Sequence, residues 1–400
     1  MSDSDSSAGP ISVLIVDDSA LMRSLIGKIV DGEPDLQVAA KAMNGSFALQ
    51  KIPNCKPDCI VLDLEMPEMN GIEFLQERRK RGIDIPVIIL SSVAKKGASI
   101  TMQALGLGAA DFIMKPSGSV SEDIHTVAKQ LTEMIRGFGR KYRAKHGMST
   151  VAKKQADQET GASAAQASTA VAEEQAPPPT RPPKSGTGTA AVTAPPPRKI
   201  VPEAEPGAIE IIAIGISTGG PNALRKVFAE LDGRLAAPIV VVQHMPAGFT
   251  EEFAKSLDRV CALEVKEAEE GDMVRAGRIL IAPGNRHLRV QRRSLGATVH
   301  LSDEAPVNGH RPSCDVLFES VADAFGNKAL AVIMTGMGKD GALKIGEVYR
   351  RGGITLGQDA GSSVVYGMPR VAFELGHLTR QISLPETASE IQRLVQESHS

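Results

Sequence analysis

Ser217 lies in Gly215-Ile216-Ser217-Thr218-Gly219-Gly220-Pro221, directly after an apolar run and before an amphipathic one. The spacing satisfies G-x-S-x-G, in which glycines let the chain turn sharply and leave a hydroxyl exposed at a helix N-terminus. Backbone N–H groups and the helix dipole there favour a developing oxyanion. A serine hydroxyl needs a base, and the base needs a carboxylate to fix its tautomer. His244 in VVVQHMP and Asp340 in MTGMGKDG each follow a strand-like run and supply that pair. Together the three residues could perform acyl transfer. The competing reading of the serine segment is an ordinary glycine-rich strand–helix turn. A dinucleotide-binding loop is disfavoured, because it would place glycine at 217. Among other histidines, His310 in GHRPSCD is a rival base or a wall of the substrate groove, and His377 is a further competitor. His287 and His300 fall in a hairpin and are expected at the surface. Asp315 and Asp359 are the alternative acids.

A second constellation sits near the N-terminus. Asp17 and Asp18 follow the first strand-like run directly, and Asp63 follows the third. In a parallel sheet the carboxyl ends of strands share one edge, so these carboxylates should converge. Converging carboxylates repel unless a cation sits among them, and hard oxygen donors suit Mg²⁺. Ser91 ends the fourth strand and Lys115 the fifth, on the same edge. A metal cage, a hydroxyl and an ammonium around one carboxylate are what phosphoryl transfer to an aspartate needs. Taken singly, each aspartate reads as a helix cap or a solvated loop residue.

The elements that must position these groups can be read from periodicity. Residues 11–16, 59–62, 87–90 and 112–114 are short runs rich in Ile, Val and Leu. Between them lie helical patterns, with Leu21, Leu25 and Ile29 on one face and Met22, Ile26 and Val30 beside it. The same alternation resumes at 209–215, 239–243, 279–282, 330–334 and 354–356, with helical runs at 249–260 and 315–325. A hairpin is expected from 287–290 against 298–301, turning through 294–296. Strands alternating with helices imply parallel sheets, hence two doubly wound α/β domains at 11–138 and 208–397. The intervening 139–207 is dominated by Ala, Thr, Ser, Gln and Pro, with PPPTRPP and PPP runs. It reads as a flexible, disordered linker, with a helix through 162–176 as the alternative.

Composition narrows the function classes. The formal net charge of −2 comes with no basic block resembling a nucleic-acid footprint. Apolar runs are strand-sized, far short of the ~18 residues that span a bilayer, so no membrane insertion is expected. The first ten residues carry no secretory pattern, and the four cysteines show no CxxC spacing. They read as small core or surface fillers in a reducing, cytoplasmic protein.

Over about 11–135, VDDSALMR, VLDLEMPEMNG, VIILSS and DFIMKP resemble the response-regulator receiver family, a flavodoxin-like fold. The resemblance implies that Asp63 is the phosphoacceptor for a sensor histidine kinase. It also implies that Asp17, Asp18, Asp63 and the Glu65 carbonyl hold Mg²⁺, and that Ser91 and Lys115 contact the phosphoryl group. Lys115–Pro116 is then expected to be cis, and Phe112 takes the place of the family's coupled aromatic residue without a tyrosine hydroxyl. Over about 208–397, GISTGG, QHMP, HRPSCDVLF and MTGMGKDG resemble the CheB family of chemotaxis protein-glutamate methylesterases, with a Rossmann-like esterase domain. This second resemblance implies a Ser217 nucleophile, a His244 base and an Asp340 orienting acid, with backbone near Met337 in the oxyanion site. No cofactor is implied for the ester chemistry. The substrates implied are methyl-accepting chemoreceptors, with glutamine deamidation through the same intermediate. The rival classes are a regulator whose second domain only binds a partner, and a DNA-binding regulator, which the absence of a basic recognition helix disfavours.

Overall fold

The computed structural model describes residues 9–92, 95–115, 122–159, 201–294 and 296–400. In the first domain, β1 (Ile11–Val16), β2 (Leu36–Ala42), β3 (Cys59–Asp63), β4 (Val87–Ser91) and β5 (Asp111–Met114) alternate with five helices. These are α1 (Ala20–Asp31), α2 (Gly45–Cys55), α3 (Gly71–Lys80), α4 (Lys95–Gly106) and α5 (Glu122–Glu159). The parallel sheet runs β2-β1-β3-β4-β5. Every residue of β1, β3 and β4 is buried, as expected of strands covered on both faces. Leu14 and Val16 enter one apolar cluster, and Val13 and Ile15 the other, following the period of two. On α1 the core face is Ile26 and Val30, with Met22 packed beside them, whereas Leu21 is 77% exposed.

The second domain begins with β6 (Ile211–Ile216), α6 (Gly220–Ala229), β7 (Ile239–Gln243), α7 (Phe249–Asp258), β8 (Glu264–Glu267), β9 (Met273–Val274) and β10 (Arg278–Ile281). It continues with β11 (His287–Arg293), β12 (Gly296–Ser302), α8 (Cys314–Phe325), β13 (Ala329–Ile333), α9 (Ile345–Arg350) and β14 (Ile354–Gln358). It ends with α10 (Met368–Glu374), β15 (Arg380–Ile382) and α11 (Thr387–Ser398). Seven parallel strands run β15-β14-β13-β6-β7-β10-β8, so strand order reverses direction beside β6. Ligand crevices in such sheets open at that reversal, outside the carboxyl ends of the strands. The expected hairpin is present, pairing His287 with Ser302, but β9 joins it as a third strand.

Two expectations need correcting. His287 is fully buried, its Nε2 3.1 Å from the Ala305 carbonyl, because it faces the inner side of the small sheet. The linker between the two domains stands, but its first part, from 139, is helical as far as Glu159, since α5 continues through it. Residues 139–159 are rich in Lys, Arg, Ala and Gln, good helix formers, and contain no proline. Tertiary anchors add to that propensity. Arg143 bonds the Pro10 carbonyl at 2.6 Å and Asp58 at 2.7 Å, and Lys141 bonds the Ser362 carbonyl at 2.5 Å. At the segment's other end, Gly207 N–H donates to Asn327 O at 3.0 Å. Residues 160–200, with the 162–176 helix alternative, lie outside the described residues.

The two α/β domains touch directly. One apolar cluster runs through both, α4 packs on α7, and Phe112 stacks on Phe249 with centroids 5.2 Å apart.

Candidate active site

In the first domain, the carboxyl edge gathers Asp17, Asp18 and Asp63, with ligand oxygens within 4.8 Å of one another. Asp17 and Asp63 are buried at the ends of β1 and β3, and Asp18 is exposed. Lys115 Nζ lies 2.7 Å from Asp63 Oδ2 and 3.4 Å from Asp17 Oδ2. Burial pushes the Asp17 carboxyl up; Lys115 opposes that, and neighbouring Asp63 adds to it. Burial works against the Lys115 charge as well, but Asp63 and Asp17 hold its ammonium above the usual range. Asp17 Oδ2 is buried yet makes no hydrogen bond. A buried carboxylate oxygen met only by the Lys115 ammonium, beside two further carboxylates, fits a hard divalent cation such as Mg²⁺. Glu65 occupies the turn after β3, its N–H 3.3 Å from Asp63 Oδ1. The Ser91 hydroxyl, beside Asp63 and Glu65 at this edge, pairs with Thr101 Oγ1 at 2.7 Å. Thr101, fully buried on α4, went unnoticed in the sequence because a lone helical threonine carries no signal. Pro116, with its expected cis bond, lies outside the described residues.

The second site is built on three strand ends. The turn after β6 carries Ser217, whose N–H donates to Thr335 O at 3.0 Å. Gly219 caps α6 in the left-handed region, φ 81°, where a side chain would be strained. Gly336 passes so close that a Cβ there would lie 2.8 Å from Ser217 Cβ and 2.3 Å from Met368 Sδ. That approach sets Met337 beside the nucleophile turn. Neither Met337 N–H nor Thr218 N–H bonds a described group. The residue after a nucleophile is a usual oxyanion donor, so Thr218 is a candidate that the glycine pattern alone did not single out.

His244 follows β7, and Asp340 lies in the loop after β13. His244 Nε2 is 2.8 Å from Asp340 Oδ2, while Nδ1 is buried without a partner. The nitrogen left for a proton transfer is therefore Nδ1. The Ser217 hydroxyl makes no hydrogen bond to the described residues, His244 included. Asp340 also accepts from Asn308 Nδ2 at 2.9 Å, Ser313 Oγ at 2.7 Å and the Cys314 N–H at 2.6 Å. Burial opposes its charge, but the His244 hydrogen bond and charge, then Asn308 and Ser313, keep Asp340 well below the usual carboxylate range. Asn308 reaches Asp315 as well, at 2.7 Å, so Asp315 bonds this bridge rather than the imidazole. Asp359 caps its own loop through Ser362.

His310 stacks on His244, centroids 3.8 Å apart and 10° from parallel. Burial, followed by the charge of His244, pushes His310 down to about 4, so a neutral ring covers the face of its neighbour at neutral pH. Cys314 Sγ comes within 3.6 Å of His244 Nε2, but burial and Asp340 push its thiol far up, which leaves it a packing group. His377 bonds the Ala342 carbonyl at 2.8 Å, and His300 meets Glu270 at 3.1 Å.

Residues 13–135 match the response regulator receiver domain model, and residues 212–391 match the CheB methylesterase model. A protein-glutamate methylesterase/protein-glutamine glutaminase of Treponema pallidum is 54% identical over 96% of this chain and 96% of its own. The chain belongs to the CheB methylesterase family. The Treponema denticola protein of the same description is 55% identical, covering 96% of this chain and 98% of that one. Among solved structures, the catalytic domain of Thermotoga maritima CheB methylesterase matches at 38% identity. That match has a TM-score of 0.46 and covers 47% of this chain and 99% of that chain. By the two family models and the Treponema relatives, the chain is a CheB-type hydrolase, a protein-glutamate methylesterase/protein-glutamine glutaminase domain carried with a receiver domain. Among the described residues no helix is long and apolar enough to cross a membrane.

Proposed function

We propose that this CheB-family chain demethylates glutamate methyl esters on the cytoplasmic helices of chemoreceptors, under the control of receiver phosphorylation. The observation that carries the reading is the imidazole of His244, fixed through Nε2 by Asp340, with Nδ1 unpaired on the strand edge that bears Ser217. Ser217 Oγ attacks the ester carbonyl while His244 Nδ1 takes its proton. The Met337 and Thr218 N–H groups receive the oxyanion. His244 returns the proton to the leaving methoxide, methanol departs, and water attacks the acyl-enzyme to free glutamate. With a glutamine side chain the same intermediate forms with loss of ammonia. Asp340 stays ionised and supports the imidazolium, and the neutral His310 ring excludes water from its face.

In the receiver, Asp63 accepts phosphate from a sensor histidine kinase. Asp17, Asp18, Asp63 and the Glu65 carbonyl would hold Mg²⁺, which supplies charge neutralisation for phosphoryl oxygens when bound. Lys115 already sits on Asp63; Ser91 has to exchange Thr101 for the phosphoryl group. Such an exchange would disturb α4, which packs on α7 of the esterase. Release of this packing opens the strand edge to a bulky receptor helix. In this reading the protein works from the cytoplasm, without membrane insertion and without nucleic acid.

Asp63→Ala is expected to abolish Mg²⁺-dependent phosphorylation by small phosphodonors and to leave basal ester hydrolysis intact. Undiminished acid-labile phosphate on this variant would move the acceptor to another carboxylate. Asn308→Ala is expected to lower kcat about tenfold, since Asp340 loses one of the charged-group hydrogen bonds that fix it, each worth roughly 1.5–3 kcal/mol. An unchanged kcat would make Asn308 a loop-folding residue only. A serine-directed covalent probe separates hydrolase from mere binding module. Label should appear on the Ser217 peptide, and its absence from active protein would sink the reading.

A further inference from the structure

Asp111 opens β5 and is 4% exposed, buried where the receiver meets the esterase. Its Oδ1 accepts from the Phe112 N–H at 2.8 Å, and its Oδ2 from the Gly219 N–H at 2.6 Å. Gly219 is the N-cap of α6 and stands two residues after Ser217. Asn222 on the same helix fastens the contact, donating to the carbonyls of Ala109 at 2.7 Å and Ala110 at 2.8 Å. The receiver thus lays a carboxylate on the positive end of the helix that begins beside the nucleophile. Among the described residues no cation pairs with it. On the packed elements, Arg225 of α6 bonds Ser256, Lys141 of α5 bonds Ser362 O, and Glu252 of α7 pairs with Lys255. Asp359 accepts from Ser362, and Lys226 faces the Lys141 side of the contact.

We propose that Asp111 brakes the chemical step itself: its carboxylate, bound to the Gly219 N–H, opposes the negative charge that develops on the oxyanion at Ser217. This rests on Ser217 being the nucleophile and on phosphorylation loosening the receiver. An anion at a helix N-terminus neutralises the positive potential that a second anion would use, and does so strongly where water is excluded. Undocking then does two separate things. It clears the path for a receptor helix, and it restores the field of α6 for any ester, however small.

Burial raises the Asp111 carboxyl to about 7, with the Gly219 and Phe112 N–H groups opposing the rise. Docking therefore favours the protonated acid and weakens as pH climbs toward 7. A latch that only blocked access would accordingly release at high pH. An electrostatic brake instead tightens there, because the charge appears there while Asn222, the Phe112–Phe249 stack and the α4–α7 packing keep the domains docked.

The two accounts predict opposite trends. Full-length wild type and Asp111→Asn, both unphosphorylated, would be assayed on a blocked glutamate γ-methyl ester across this range. The ratio of variant to wild-type kcat is expected near one below about pH 6, rising on the order of tenfold above about pH 8. KM should change little. A second arm needs no substitution: stimulation of wild type by a small phosphodonor, on the same ester, should grow over the same window. A kcat ratio that is flat or falls with rising pH overturns the proposal. So does phosphodonor stimulation seen only with receptor-sized substrate. If neither protein turned over any ester at any pH, the nucleophile assignment itself would fail, and the brake with it.

Discussion

Ser217→Ala is expected to slow methanol release by about 10⁴-fold or more, the usual cost of losing one member of a catalytic triad. The fold should survive the change. The Ser217 hydroxyl bonds no described group, so its removal orphans nothing. The backbone bonds that shape the turn remain, namely Ser217 N–H to Thr335 O, and Gly220 N–H and Gln243 Nε2 to Ser217 O. The measurement is kcat on methylated receptor, with a thermal melt beside it. A variant within tenfold of wild type would remove Ser217 from the mechanism.

Asp340→Asn is expected to be nearly as damaging, roughly 10⁴-fold in kcat. The carboxylate faces four donors: His244 Nε2, Asn308, Ser313 and the Cys314 N–H. An amide can accept from only part of that set, and its own NH₂ must then point at a donor. If that NH₂ meets His244, the ring is pushed to the tautomer with the proton on Nδ1, where Ser217 needs a lone pair. The folded-state carboxyl is held below its unfolded value, so its stabilisation is present above about pH 4 and fades as pH falls further. The asparagine variant should therefore melt earlier than wild type at neutral pH, with the difference closing in acid. A mild kinetic effect would pass the role to Asp315 or Asp359, the other acids near this edge.

Much of this arrangement is legible in the chain because parallel sheets convert sequence order into position. Once β1, β3 and β5 are recognised by their Ile- and Val-rich runs, Asp17, Asp63 and Lys115 must share an edge. The same logic places Ser217, His244 and Asp340 at the ends of β6, β7 and β13. What strand order does not convey is which side chains turn toward one another across loops. Asn308 carries no local pattern, yet it joins Asp340 to Asp315. His287 looked like a surface residue because hairpins usually leave one face wet, whereas α8 packs on β11 here. On α1, two apolar stripes lie side by side at spacings of four, and only packing decides that Ile26 and Val30 face the core while Leu21 faces water. The helix through 139–159 was hidden by its bland composition. The carboxylate of Asp111 at Gly219 spans 108 positions and two domains, beyond the reach of any periodicity.

The measurement closest to the central claim is methanol release from membranes carrying methylated chemoreceptors, by the full-length protein, with and without a small phosphodonor and Mg²⁺. Release should occur at a basal rate, rise with phosphodonor in wild type, and fail to rise in Asp63→Ala. A phosphorylated wild type that releases no more methanol than the unphosphorylated chain would contradict receiver control. No release under either condition would contradict the hydrolase.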